Sequence, residues 1–170
     1  FDDFLKGDAN ALTQDEQNGL NTFLKVNCRE FHDGKLLGGE IYEPMVKKNP
    51  YENQSDQGIY DITKDENDRM FFKVAPLRNV ALTGPYMHNG AYPDLESVLR
   101  HHLNPREALL NYDPEFLTPA LQETCQVDEA TQQAILETLD PILITPLELS
   151  DVQISDLLAF LQTLTSPSAI

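Results

Sequence analysis

The chain has 170 residues, 41% of them hydrophobic, enough for one domain with a core of its own and no need of disulfide staples. Its 28 acidic against 12 basic side chains leave a formal charge of −16, which repels phosphate backbones and anionic lipid and argues against a nucleic-acid partner. Such a field attracts a basic protein, such as a small cationic redox partner, although solubility alone also accounts for it.

No apolar stretch approaches the roughly 20 residues of a membrane helix, so no membrane span is expected. Phe1 to Lys6 lack the basic start and apolar run of a signal peptide, and no Met begins the chain, which therefore reads as part of something longer. Thr13 and Glu16 form a capping box that opens a helix, and Leu20, Phe23 and Leu24 then share one stripe running into the segment Cys28 to His32. From Asp33 to about Met70 the chain is rich in Gly, Asn, Asp and Lys without a sustained period, a long irregular loop of the kind that wraps around something. Phe71 to Tyr92, with Pro76, Gly84, Pro85 and Gly90 among apolar residues, reads as an ordered extended connection with little regular structure.

Asp94 caps a further helix in which Leu95, Val98, Leu99 and His102 fall on one face. His102 is thus expected on the buried side, with His101 pointing about 100° away. Asn104-Pro105 ends that helix, Asn111 to Pro114 make a turn within a mixed stretch reaching Val127, and another helix is expected over 129–139. Ser150 to Gln153 form a second capping box, opening a terminal helix over 150–166 with Ile154, Leu157, Leu158, Leu161 and Leu164 on one face. Strand signals are weak and there is no internal repeat, so the fold class is all-α with long irregular loops, a single domain over 1–170.

The chemistry-bearing segment is Cys28-Arg29-Glu30-Phe31-His32. It departs by one residue from the C-x-x-C-H haem-attachment pattern, in which two thiols bond the vinyls and the histidine ligates iron; here Phe31 stands in place of the second thiol. One thioether and an axial imidazole still suffice to hold a haem, whose porphyrin buries a large apolar area. Alone, the pentapeptide reads equally as an ordinary helix end. Cys28 and Cys125 are too few for a disulfide framework, and whether they pair is open. Asp61, Asp65, Glu66 and Asp68 lack the ligand spacing of a calcium-binding loop and read as a solvated face. No Ser/His/Asp set or phosphate-cradling loop supports hydrolase or nucleotide chemistry.

Several stretches together resemble the C-terminal half of the bacterial dihaem cytochrome c peroxidases and their MauG-like relatives. They are Phe1 to Asp8 before Leu12-Thr13, Glu16 to Gly34, the run from Phe72 to Gly90, Leu95 to His102, and Ile154 to Thr165, which together cover nearly the whole chain. The resemblance implies a class I cytochrome c-like helical domain carrying an electron-entry haem c in an extracytoplasmic, periplasmic oxidoreductase. Such a domain takes electrons from a small redox donor protein and passes them to a peroxidatic haem in an N-terminal haem domain, which lies outside this chain.

By the same resemblance Cys28 makes a single thioether, Phe31 lies against the vinyl it leaves unbonded, and His32 is the proximal ligand. His102 stands where the family places the distal ligand, a Met or a Tyr there, so bis-histidine coordination follows. His88 lies near the haem without ligating it, Arg78 faces a propionate, and the carbonyls of Thr83 and Pro85 match positions that help bind calcium between the halves, conditional on the other half. Two other readings stay open: a haem-less scaffolding descendant in which Phe31 marks the loss, and a mononuclear metal protein drawing on Cys28, His32, His88, His101 and His102.

Overall fold

The computed structural model describes residues 1–44, 57–69, 71–87, 90–115, 117–123, 128–137 and 145–167. Among them the helices are α1 (Asp2–Leu5), α2 (Gln14–Lys25), α3 (Tyr60–Thr63), α4 (Leu95–Leu103), α5 (Pro105–Leu110), α6 (Pro119–Gln122), α7 (Glu129–Leu136) and α8 (Asp151–Gln162). Short 3-10 turns lie at Cys28–Glu30, Glu66–Asp68 and Val80–Leu82. Helix is the dominant element, as the sequence implies. The long loop and the connection after it nevertheless contribute strands β1 (Tyr42–Pro44) and β2 (Phe71–Lys73), which pair antiparallel with Glu43 opposite Phe72.

Both capping boxes form. The Thr13 hydroxyl accepts from the Glu16 N–H at 3.3 Å while the Glu16 carboxylate accepts from the Thr13 N–H at 2.7 Å, and Ser150 and Gln153 repeat the arrangement. Each cap is worth about 1 kcal/mol and fixes where its helix begins. Those two helices cross to make the core. Gly19 sits at the crossing, where a Cβ would collide with the Asp156 carbonyl and the Cβ of Phe160, so only glycine lets the backbones come this close. Phe23, Val80, Leu157, Phe160, Leu161 and Leu164 are the buried cluster, with Phe160 placed between Phe1 and Phe23 at ring distances of 5.4 and 5.5 Å.

Asn79 ties the end of α8 to the connection that leads into the site. Its N–H donates to the Leu164 carbonyl at 3.1 Å and its side-chain oxygen accepts from the Ser166 N–H at 2.8 Å. The stripe read on α2 needs correcting at Leu24, which is exposed while Thr22 is buried, because the close approach at Gly19 turns that side of the helix inward. Asn104-Pro105 ends α4 but also starts α5. The Asn104 side chain accepts from the Glu107 N–H at 3.1 Å, and Pro105 occupies the first helical position, where a missing N–H costs nothing. The helix expected over 129–139 runs Glu129–Leu136, and residues 138–139 lie outside the described ones.

Candidate functional site

The turn after α2 carries the candidate site. Asn27 takes a left-handed conformation, with φ 62°, and reverses the chain into Cys28–Glu30, after which the His32 N–H donates to the Cys28 carbonyl at 2.9 Å. Cys28 and His32 therefore belong to one turn. Cys28 carries a free thiol packed against the α2–α8 core, and burial pushes its pKa up to about 11, so it is a protonated thiol at neutral pH. Phe31, beside it, is exposed.

His32 Nδ1 lies 3.1 Å from the Ala75 carbonyl. A carbonyl only accepts, so Nδ1 carries the proton and Nε2 keeps its lone pair. Gly38 makes this bond possible. At φ +123° it runs against Ala75, and a Cβ there would collide with the Ala75 carbonyl and come within 3.2 Å of His32 Nδ1. The loop is fastened on both sides, with the Gly38 N–H on the Asp33 carbonyl at 2.7 Å and the Gly39 N–H on the Val74 carbonyl at 2.8 Å.

His102 is held in the same way. Its Nδ1 lies 2.8 Å from the Val98 carbonyl one turn back on α4, which again leaves Nε2 as the ring nitrogen with a lone pair. The expectation that His102 is buried needs correcting: its side chain is solvent-accessible. The apolar side of α4 that packs inward runs through Leu95, Leu99 and Leu103, and His102 stands at its flank. So much protein surrounds the ring that desolvation still depresses its pKa. Burial also depresses the pKa of His32, and His102 is near enough to add charge repulsion. Both rings are therefore neutral at neutral pH.

His101, the neighbour on α4, points elsewhere. Its Nδ1 shares a hydrogen bond with the Tyr92 hydroxyl at 2.9 Å, and burial, aided by His102, pushes its pKa down to about 3. Arg78 packs against the loop that follows His32, with Nη2 on Asp2 at 2.6 Å and Nε on the Lys35 carbonyl at 3.3 Å, so any further carboxylate would share its fork with Asp2. Thr83 donates through its hydroxyl to the Val80 carbonyl at 3.2 Å, and Thr83 and Pro85 are exposed. His88 and Cys125 lie outside the described residues.

Among the described residues no three His, Cys, Asp or Glu side chains gather in a way that could hold a metal ion by themselves. The acidic run around Asp61 to Asp68 is spent on local pairs, Glu66 with Arg69 at 2.9 Å and Asp61 with Lys64 at 3.6 Å, and on the Asp65 cap of its own turn. Gly38, Ala75 and Tyr92 are site residues that pattern reading missed. The paired glycines at 38–39 were the only signal for the first, and no local signal marks the other two.

No family model matches the chain. A cytochrome c551 peroxidase of Nitrosomonas europaea is 44% identical over 58% of this chain and 30% of its own length. The methylamine utilization protein MauG of Paracoccus denitrificans is 36% identical over 97% of this chain and 46% of its own length. A solved MauG-like protein associated with microbial copper homeostasis superposes with a TM-score of 0.65 at 28% identity, covering 99% of this chain and 51% of that one. The chain thus spans less than half the length of the curated relatives it matches.

Proposed function

Because this chain belongs to the family of bacterial cytochrome c peroxidases and MauG, we propose that it is the electron-transfer module of a periplasmic dihaem oxidoreductase and holds one haem c between His32 and His102. The single observation that carries the reading is that both imidazoles have Nδ1 committed to a backbone carbonyl, with Nε2 left to donate. Second-sphere bonds of this kind fix the tautomer and the ring plane of a ligating histidine. The donor set fits the group: a free thiol one turn before His32, and large exposed apolar side chains, Phe31 and Leu36, in the same stretch of chain.

When bound, the haem supplies a one-electron couple. His32 would hold it as the proximal ligand and His102 as the distal one, and a haem held by two imidazole nitrogens would supply electron transfer rather than peroxide binding, at a potential below that of a histidine–methionine site. Cys28 would anchor the porphyrin through one thioether, with Phe31 standing where the second cysteine would be. Arg78 would divide its fork between Asp2 and a propionate, and the family resemblance gives His88 a supporting, non-ligating role. The domain over 1–170 takes a class I cytochrome c-like arrangement. Its partners are an N-terminal haem domain, with Thr83 and Pro85 offering carbonyls to a calcium ion between the two, and a basic donor protein drawn by the net charge of −16. Peroxide reduction by this chain alone is expected to be poor.

Phe31 favours one second reading, a haem-less scaffolding descendant. A pyridine haemochrome spectrum paired with the denatured intact mass separates the two. A mass one haem above the apoprotein, with a spectrum shifted from the two-thioether form toward the one-vinyl form, supports attachment through Cys28. An apoprotein mass without a porphyrin band overturns it and leaves the scaffold.

A further inference from the structure

Two histidines stand side by side on α4, and either is chemically able to ligate iron. Their rings are 5.8 Å apart. They differ in what holds them: His102 is bonded to a carbonyl of its own helix, whereas His101 is bonded to Tyr92, a residue outside it.

Tyr92 is a fixed post. It is 8% exposed, and its backbone exchanges bonds with Tyr86, from the Tyr86 N–H to the Tyr92 carbonyl at 2.8 Å and in return at 3.4 Å. Its ring meets Tyr112 edge-on at 5.6 Å and 85°, and the Tyr112 hydroxyl donates to the neighbouring Ala91 carbonyl at 2.9 Å. The His101 ring lies 5.3 Å from the Tyr92 ring at a tilt of 54°, so a ring contact adds to the hydrogen bond at Nδ1. An imidazole otherwise turns among its staggered rotamers at small cost, and a neighbouring ring at this distance can swing into a place that another has left.

We infer that Tyr92 is a positioning residue that holds His101 away from the iron and so makes His102 the distal ligand; the inference rests on the haem reading above. Its test is low-temperature electron paramagnetic resonance of the haem-loaded chain. The wild type gives a low-spin signal of two imidazoles, and His102→Ala turns most molecules high-spin because His101 stays on Tyr92. Adding Tyr92→Phe to His102→Ala restores a low-spin nitrogenous signal in a substantial fraction of molecules, and adding His101→Ala as well removes it again.

A His102→Ala chain that stays low-spin through His101, or a double variant indistinguishable from His102→Ala, overturns the inference. A second readout needs no haem. In long-range proton–nitrogen spectra of the haem-free protein, Tyr92→Phe shifts Nδ1 of His101 and leaves that of His102 in place; an unmoved His101 overturns the inference whatever the haem does. A wild type without porphyrin, with His101 Nδ1 still moved by Tyr92→Phe, instead overturns the haem reading, and Tyr92 then positions His101 for no iron.

Discussion

His32 and His102, far apart in sequence, make the same bond: Nδ1–H of each donates to a backbone carbonyl, that of Ala75 at 3.1 Å and that of Val98 at 2.8 Å. The two differ in what enforces it. His102 bonds within its own helix, where the preceding turn supplies the carbonyl automatically. His32 depends on a loop being brought against it, and Gly38 is where that contact is tightest.

Gly38→Ala is therefore expected to act on His32 from a distance. An L-residue at φ +123° costs roughly 1–3 kcal/mol in strain, and its methyl group pushes directly on the Ala75 carbonyl. Urea unfolding should show a loss of at least about 1 kcal/mol, and the Nδ1 proton of His32 should exchange faster with solvent. Unchanged stability with an unchanged His32 proton would sink the account of this loop.

The thiol of Cys28 should be inert while the chain is folded. With its pKa raised to about 11 and its side chain against the core, very little thiolate exists at neutral pH. Alkylation of the haem-free protein by iodoacetamide is expected to be more than about tenfold slower than that of a free cysteine, and to become rapid in denaturant. Rapid labelling of Cys28 in the folded protein contradicts this burial, and resistance in denaturant would mean that the sulfur is already bonded.

The core makes a sharper demand. Phe160 is 1% exposed and touches the rings of both Phe1 and Phe23, so Phe160→Ala should cost about 3–5 kcal/mol. Gly19→Ala, which adds only one carbon, is expected to cost a comparable amount because the Asp156 carbonyl cannot retreat from α8 without breaking the crossing. Thermal melts of the two variants check this, and a Gly19→Ala chain as stable as the wild type would mean that the helices cross more loosely.

What could be read from the residues alone follows how local each feature is. The capping boxes at Thr13 and Ser150 form as read because a cap involves residues three apart, and Ile154, Leu157 and Leu161 bury as read because their period lies within α8, although Leu158 is only half-buried, Leu164 lies past the helix end and the buried Phe160 was not on the expected face. Leu24 and His102 are harder, since a helical stripe says which residues share a side but not how the helix rolls against its neighbours. The β1–β2 pair and the Gly38–Ala75 contact join segments far apart along the chain, and neither strand is long enough to show a period of its own. Cys28 and His32 stood out only because their spacing is a chemical requirement of one ligand.

Acid should weaken the haem-free fold through its histidines. Desolvation by the surrounding protein lowers the pKa of His32, His101 and His102 below the ordinary 6.5, that of His101 to about 3. The unfolded chain takes up these protons as the pH falls through 6.5, whereas the folded chain resists, His101 until about pH 3, so the stabilisation is complete above 6.5 and erodes toward 3. The carboxylates of Asp3 and Glu66, held low by Lys6 and Arg69, begin to lose their ion pairs only below their own ordinary values, 3.8 and 4.5, so they contribute at the acid end of this window. Each histidine adds at most about 1.4 kcal/mol per pH unit. Urea midpoints measured at about pH 7.5 and about pH 5 should fall for the wild type and fall less for His101→Asn, which carries no proton in either state. An equal fall in the two proteins would place the acid sensitivity elsewhere and leave Tyr92 hydrogen-bonded to a histidine of ordinary pKa.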